Sequence, residues 1–375
     1  MSGPLTPAQI KQVEREKRKA DSDRRKLLLQ STQKAKSITA KMAGVQPILR
    51  PDVQVSDEEV EPLKAKAESG DAAAMVRLGH YYMMHIVPGF GNEATAATWF
   101  RKAADTGDAD ALAWLALYDR LTKPKQNKAD IQQRFQAAAE KGSMLGEYLM
   151  GLTTENYADK IPWFEKAANR GFVPAMRALA EAIAEHTYRE IAPLRNYNLT
   201  PEAQAWAKIA AANDDHKAFG ILATEGAHFS GSESERPNID FKKLDSYAQK
   251  HIELAKKLSY TWYGSVFDSR LMPGRYDWGG PKADALLSAY AEGASLLHRQ
   301  NKNDASFLRK FCADMTKMAD AGDRDAMLVI VKAAKNWKFF FPLTKTPCPF
   351  KPGPYESKLK EMAKNDPLIP RLLAN

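Results

Sequence analysis

The chain has 375 residues, 44% of them hydrophobic and 27% charged, an ordinary soluble composition with room for two average domains or one elongated array. No apolar run approaches the roughly 18 residues of a membrane span, and two cysteines, Cys312 and Cys348, exclude a disulfide scaffold and a four-cysteine zinc site. The net charge of +9 is local: residues 1–50 hold 12 Lys/Arg against 4 Asp/Glu, while the other 325 hold 43 against 42. Net charge therefore gives no sign of a phosphate-neutralising groove in the body, and nucleic acid is not expected as a partner.

The 57 alanines favour helix over sheet. Residues 6–43 read as one long basic helix. Thr6 caps it, Pro7 suits the first helical position, Gln9 completes a capping box, and Gly44 and Pro47 end it. Ile10 and Val13 are the strong apolar residues of its first half; Leu27, Leu28, Leu29, Ile38 and Met42 supply the rest. The second half is expected to dock on the body and the first to stay solvated, with an anionic membrane or an acidic partner as the sharper alternative. The stretch from Met1 to Arg25 is polar and shows no export signal, yet Ser2-Gly3 resembles the residues found after a lipidated cysteine in bacterial lipoproteins. Periplasmic and cytoplasmic locations both stay open.

Next comes a repeat. Aligned on glycine, the segments are LKAKAESGDAAAMVRLG (63–79), FRKAADTGDADALAWLA (100–116), FQAAAEKGSMLGEYLMG (135–151), FEKAANRGFVPAMRALA (164–180) and MTKMADAGDRDAMLVIV (315–331). A degenerate copy, WAKIAAANDDHKAFGIL (206–222), puts Asn213 in the glycine column. The glycines at 70, 107, 142 and 171 are 37, 35 and 29 residues apart, and Asn213 follows after 42. These are spacings of helix-pair repeats. Glycine after the first helix supplies the left-handed conformation that a Cβ resists, and Asn is the usual second choice. Asp71, Asp108, Ser143 and Asp323 are N-caps for the second helix; Gly171 lacks one, but Pro174 suits a first turn. A large residue stands seven before the glycine (Leu63, Phe100, Phe135, Phe164, Trp206, Met315) and a small one four after it (Ala74, Ala111, Gly146, Ala175, Ala326). Large against small lets two short helices approach and stack on the next pair.

The stretch Ala74-x-x-x-Leu78-Gly79-x-x-Tyr82, Gly89-x-Gly91 and Ala96-x-x-Trp99-Phe100-x-Lys102-Ala103-Ala104-x-x-Gly107 resembles a complete Sel1-like repeat, and Trp163-Phe164-x-Lys166-Ala167-Ala168-x-x-Gly171 repeats its second half. The resemblance covers about residues 57–225 well and 305–336 weakly. Only the first unit keeps the Gly-x-Gly turn, and 226–304 match no unit. It implies an all-α fold: a right-handed α/α solenoid of helix pairs, similar to tetratricopeptide stacks, with a divergent helical C-terminal part. The expected organisation is a basic N-terminal helix over 1–50, the array over 51–227, and a C-terminal part over 228–375 with one degenerate repeat and a Pro-rich tail.

Residues 228–240 are polar and turn-rich and mark that boundary. Beyond them, 241–258 and 283–300 are expected helices. Between these, Tyr260, Trp262, Tyr263, Arg275, Tyr276 and Trp278 lie on a glycine-containing stretch. Aromatic residues on such loops are favoured anchors, giving much contact area for little rotamer entropy; the competing role is to cap the end of the solenoid. Residues 336–355 carry three consecutive phenylalanines and five prolines, and an extended wrap over the last helices is expected.

Catalytic signatures are absent from the sequence. None of the seven histidines forms His-Glu-x-x-His or stands at metal-ligand spacing to a cysteine, so no metal or other cofactor is expected. His80 and His85 lie about 140° apart on a helix and suit packing or surface roles. Glu181 and Glu185 share a helical face and are expected to face solvent; Cys312, in an apolar segment, is expected in the core. Asp268, Arg270, Arg275, Tyr276 and Asp277 are the residues from which a site in 226–304 would be built, but no spacing among them supports a mechanism. Compact Sel1-like bacterial proteins with irregular repeats resemble immunity proteins that cap toxic effectors of type VI secretion systems, phospholipases among them. The resemblance implies one protein partner of that kind; a general scaffold or adaptor is the alternative.

Overall fold

A computed structural model describes residues 6–48, 55–84, 92–122, 128–187, 199–223, 240–257, 281–300, 305–341 and 348–364, together with Ile369 and Leu373. These residues form an all-α solenoid of sixteen helices. In chain order they are α1 (Pro7–Met42), α2 (Val60–Glu68), α3 (Ala72–Met84), α4 (Asn92–Asp105), α5 (Ala109–Thr122), α6 (Lys128–Glu140), α7 (Met144–Thr153), α8 (Tyr157–Asn169), α9 (Val173–His186), α10 (Pro201–Ala212) and α11 (His216–Ala223). The C-terminal helices are α12 (Phe241–Lys257), α13 (Pro281–Arg299), α14 (Ala305–Asp320), α15 (Arg324–Phe340) and α16 (Pro352–Met362).

Five of the described hairpins carry a left-handed glycine between their helices. Gly70, Gly107, Gly142, Gly171 and Gly322 have φ between 89° and 99°. Each glycine N–H bonds the carbonyl three residues back, as Gly107 does to Ala104 at 2.9 Å and Gly322 to Ala319 at 3.1 Å. At Gly70, Gly142, Gly171 and Gly322 the N–H of the following residue reaches back five, as Ser143 does to Ala138 at 3.0 Å and Asp323 to Met318 at 3.0 Å. This pair of bonds satisfies carbonyls that a helix end leaves open. The next side chain then caps the second helix: Asp71, Asp108, Ser143 and Asp323 accept from the backbone N–H three residues on, at 2.7–3.0 Å.

The fifth copy corrects the sequence alignment by one residue. Asn213 has φ −108°, and Asp214 takes the left-handed place at φ 60°. Asp214 N–H bonds Ala211 at 3.1 Å, Asp215 N–H bonds Ala210 at 3.2 Å, and Asp215 caps α11 through Ala218 N–H at 2.9 Å. Asp tolerates this conformation because its short side chain bonds locally. In the corrected register Trp206 aligns with Trp99 and Trp163, and the residue seven before the turn is the small Ala207, fully buried.

At the fourth hairpin the cap is missing, since Phe172 makes no side-chain cap bond. The segment after α1 fills the gap. Ile48 pairs with Phe172 in an isolated parallel bridge, its N–H bonding Gly171 O at 2.8 Å and its carbonyl accepting from Val173 N–H at 3.0 Å. A Cβ on Gly171 would stand 2.3 Å from Gln46 O, whereas nothing lies within 4 Å of one on Gly70. Both glycines share the left-handed strain of roughly 1–2 kcal/mol, so Gly171→Ala should cost measurably more than Gly70→Ala in paired urea titrations. Equal losses would mean that the strand-like contact yields.

The capping box of α1 is present at Thr6 and Gln9. Its C-terminal half lies along α10, where Ser31 accepts from Glu202 N–H at 2.8 Å and Lys34 pairs with Glu202 at 3.2 Å.

Two further expectations need correction. Within 336–355, expected to be extended, residues 336–340 end α15 and 352–355 open α16: Pro352 and Pro354 fall in its first turn, where a missing N–H costs nothing, and Leu359 of the same helix is fully buried. Cys312 of α14, expected as a core thiol, is partly buried against the C-terminal core and bonded to Cys348 beyond α15, with Cα atoms 5.8 Å apart and 36 residues of separation. A loop of that length is worth about 2–4 kcal/mol in chain entropy. Reduction should lower the stability of the C-terminal helices by that amount and leave Cys312→Ser insensitive to reductant, as read by urea unfolding with and without dithiothreitol.

Candidate interaction surfaces

Tyr260, Trp262, Tyr263, Arg275, Tyr276 and Trp278 lie outside the described residues. So do His85, His228, Gly89–Gly91 and the acidic and basic residues Asp268, Arg270 and Asp277. The surfaces and polar groups that can be placed belong to the helices.

The second helices of the hairpins form the interior. From Val173 to Ala184 every residue of α9 is buried except Glu181, and α7 is buried from Leu145 to Gly151. Small residues make this closeness possible. A Cβ on Gly79 would meet the Phe100 ring at 2.6 Å, and one on Gly151 would meet Phe164 at 2.4 Å. Each glycine stands nine residues after a turn and receives the large side chain of the next hairpin. Close packing of this kind leaves the inner helices occupied by one another.

Several buried polar groups are held by one another. Arg177 Nε donates to Asp215 Oδ2 at 3.2 Å, both side chains under a tenth exposed, and Arg177 also reaches Glu181 at 3.4 Å. Glu181 is thus drawn into an ion pair rather than simply facing solvent. Burial raises the neighbouring Tyr148 phenol to about 12. On α14, burial pushes the Asp314 carboxyl up, but hydrogen bonds from Lys256, Tyr290 and Lys310 outweigh it and bring it down to about 2. At the junction of α11, α12 and α13, His216 Nδ1 lies 3.3 Å from His251 Nε2, and His251 Nδ1 lies 3.0 Å from Glu292. Gly220 permits that approach, since a Cβ there would stand 2.7 Å from the Glu292 carboxylate. Both imidazoles are under 4% exposed, and this chain of groups joins three helices.

His80 has a packing role, in keeping with its position on the helix. It is fully buried between Trp114, 4.2 Å away in an edge-on arrangement, and Phe100 at 5.1 Å. Burial lowers its imidazole to about 3. Below the unfolded value near 6.5 the unfolded chain takes up a proton that the folded one refuses, so this contribution is whole above pH 6.5 and is lost as pH falls toward 3. The slope is about 1.4 kcal/mol per pH unit. Between pH 6.5 and 5 the wild type should lose about 2 kcal/mol more than His80→Leu. Denaturant midpoints at the two pH values read this difference, and parallel losses would count against it.

The outer faces carry three features. Trp99 and Trp163, half-buried on α4 and α8, each lie under a lysine ammonium, Lys102 at 4.6 Å and Lys166 at 4.5 Å from the ring centre. Their counterpart Trp206, on the helix that α1 lies along, is buried. Phe339, near the end of α15, is 56% exposed. The first half of α1 is exposed throughout from Pro7 to Lys26, apart from Arg24, whose side chain is not described.

No protein-family model matches the chain, and no curated protein does. Among solved structures, a Sel1 repeat protein from Oxalobacter formigenes aligns over 60% of this chain and 95% of its own, at 19% identity and TM-score 0.38. A protective antigen present in uropathogenic Escherichia coli strains and displaying an SLR fold aligns over 83% and 73%, at 15% identity and TM-score 0.39. An immunity protein from Pseudomonas aeruginosa aligns over 68% and 86%, at 18% identity and TM-score 0.33. The chain resembles Sel1-like repeat proteins. Its own residues carry that resemblance: the Trp column at 99, 163 and 206, the left-handed turns, and the glycines that receive Phe100 and Phe164.

Proposed function

We propose that this chain is a non-enzymatic, protein-binding solenoid, and more specifically an immunity protein that binds and occludes a toxic effector of a type VI secretion system, such as a phospholipase. The observation that carries the binding reading is the disposition of its polar chemistry. The buried Arg177–Asp215 pair and the His216–His251–Glu292 chain are engaged in joining helices, while aromatic and basic side chains stand on the outer faces. A protein of this kind acts by covering an effector's entrance, with a few aromatic anchors supplying most of the affinity. Tyr260, Trp262, Tyr263, Arg275, Tyr276 and Trp278 are proposed as those anchors. The Cys312–Cys348 bond supports an oxidising compartment as the place of action, since such bonds persist in the periplasm and are rare in the cytosol.

The test uses the whole chain as bait in its native source, beside a full-length variant with Trp262→Ser and Trp278→Ser. One stoichiometric partner that the variant loses, and whose toxicity co-expression of the wild type relieves, is the expected result. Several weak partners unaffected by the double substitution would sink the anchor assignment and favour a general scaffold.

A further inference from the structure

The charge of α1 has a direction that its count conceals. At 100° per residue, and measured from Ile10, the residues that face the array, Leu27, Ser31, Ile38 and Met42, fall at about 260–320°. Ser31 and Met42 are buried and the other two half-buried. Of the eight basic residues from Lys11 to Lys26, Lys17 and Arg24 fall at about 320–340°, whereas Lys11, Arg15, Arg18, Lys19, Arg25 and Lys26 fall at about 60–180°, on the opposite side, and all six are exposed. None of the six makes an ion pair among the described residues. The acidic residues of the same segment keep to the two edges of this arc, Glu14 and Asp21 at about 20–40° and Glu16 and Asp23 at about 220–240°. The result is a cationic stripe on a helix that continues into the docked half of α1, about 22 Å long from Lys11 to Lys26 at 1.5 Å per residue, turned away from the rest of the molecule. One large apolar side chain, Leu29, extends it at about 100° and is 66% exposed.

We infer that this stripe is a docking surface for an anionic lipid membrane, independent of whichever protein the array holds. Three features of the arrangement select that occupant. A single cationic face matches a flat anionic surface, each Lys or Arg near the headgroups being worth about 1 kcal/mol. A nucleic-acid groove, by contrast, would bring its phosphate walls against the acidic edges at Glu14, Asp21, Glu16 and Asp23. A protein interface needs apolar or aromatic anchors among its charges, and between Lys11 and Lys26 the stripe has none. Leu29 at its end suits shallow insertion beside the headgroups. The N-terminus of α1 adds its dipole to the same field, with no acidic residue in the first turn.

The experiment is sedimentation of the full-length protein with vesicles of phosphatidylcholine alone or with about one third phosphatidylglycerol. Binding to the anionic vesicles only, falling steeply between roughly 0.05 and 0.3 M salt, is expected. The triple variant Arg15→Glu, Arg18→Glu and Lys19→Glu should bind about 100-fold more weakly or worse, with unchanged helical circular dichroism because Glu is as good a helix former. A control with the same change of charge on the array, Lys66→Glu, Lys141→Glu and Lys317→Glu, should retain most of the binding. Absence of sedimentation at the lowest salt overturns the inference and leaves the stripe to an acidic protein. Equal binding to neutral vesicles, or equal loss in the control, overturns it as well. Tighter binding of a short DNA duplex than of anionic vesicles would reassign the stripe to phosphates in a groove.

Discussion

Phe100→Ala should lower the unfolding free energy by about 3–5 kcal/mol, and Gly79→Ala should change sign in that background. Phe100 is completely buried, edge-on to His80 with ring centres 5.1 Å apart, and its ring lies where a Cβ on Gly79 would be, 2.6–2.8 Å away. Alone, Gly79→Ala gains about 1 kcal/mol of helix propensity but forces a packed ring to move, at roughly 1–3 kcal/mol, and the net effect is destabilising. With Phe100 removed the new methyl group enters empty space, and propensity and filling act together. Urea unfolding of the two single variants and the double one measures the coupling. The same sign in both backgrounds would mean that the ring moves aside cheaply and that close approach at Gly79 is not what sets the hairpin spacing. The equivalent pair, Gly151 and Phe164, should behave alike, because its geometry is the same.

The second large effect is expected at Asp215. This carboxylate caps α11 with one oxygen and receives Arg177 Nε at 3.2 Å with the other. Asp215→Ala leaves a buried guanidinium without its buried carboxylate, which costs about 3–5 kcal/mol, with roughly 1 kcal/mol more from the lost cap. Asp215→Asn keeps the cap and isolates the charge contribution. Pairing it with Arg177→Met removes both charges and should recover most of the loss, since a buried pair is worth little against an apolar replacement. If the double variant is as unstable as Asp215→Asn alone, the arginine is holding the hairpin by something other than this pair.

The parts of the fold legible in the sequence are those where one residue type answers to one backbone need. Gly70, Gly107, Gly142, Gly171 and Gly322 announce their turns because a positive φ leaves few alternatives, and Asp71 or Ser143 announces a cap for the same reason. Asn213 misleads because the large Trp206 side chain falls readily into the column of Phe100 and Phe164; the positive φ of Asp214 and its bond back to Ala211 show that the turn comes one residue later. The proline-rich tail misleads because Pro352 and Pro354 suit an extended chain as well as a first helical turn, and the choice depends on a tertiary contact made by Leu359. Cys312 and Cys348 come together only after α15 has folded back between them, which no local pattern encodes. The cationic stripe of α1 is written in the sequence, but it emerges only once the docked face of the helix fixes which way is out.

The anchoring of α1 also bears on how the chain is made. Ser31 finds its partner in Glu202, 171 residues later, and Ile48 finds its own in the turn at Gly171–Val173. At synthesis rates of about 5–20 residues per second, the first helix leaves the ribosome roughly ten to thirty seconds before α10 exists. Through that interval the docked half of α1 lacks α10, the helix it lies along, while the hairpins from α2 onward are already complete. A stack whose units fold with their neighbours therefore ends its N-terminal assembly with a long-range closure, and the basic arm is the last part of that half to take its place.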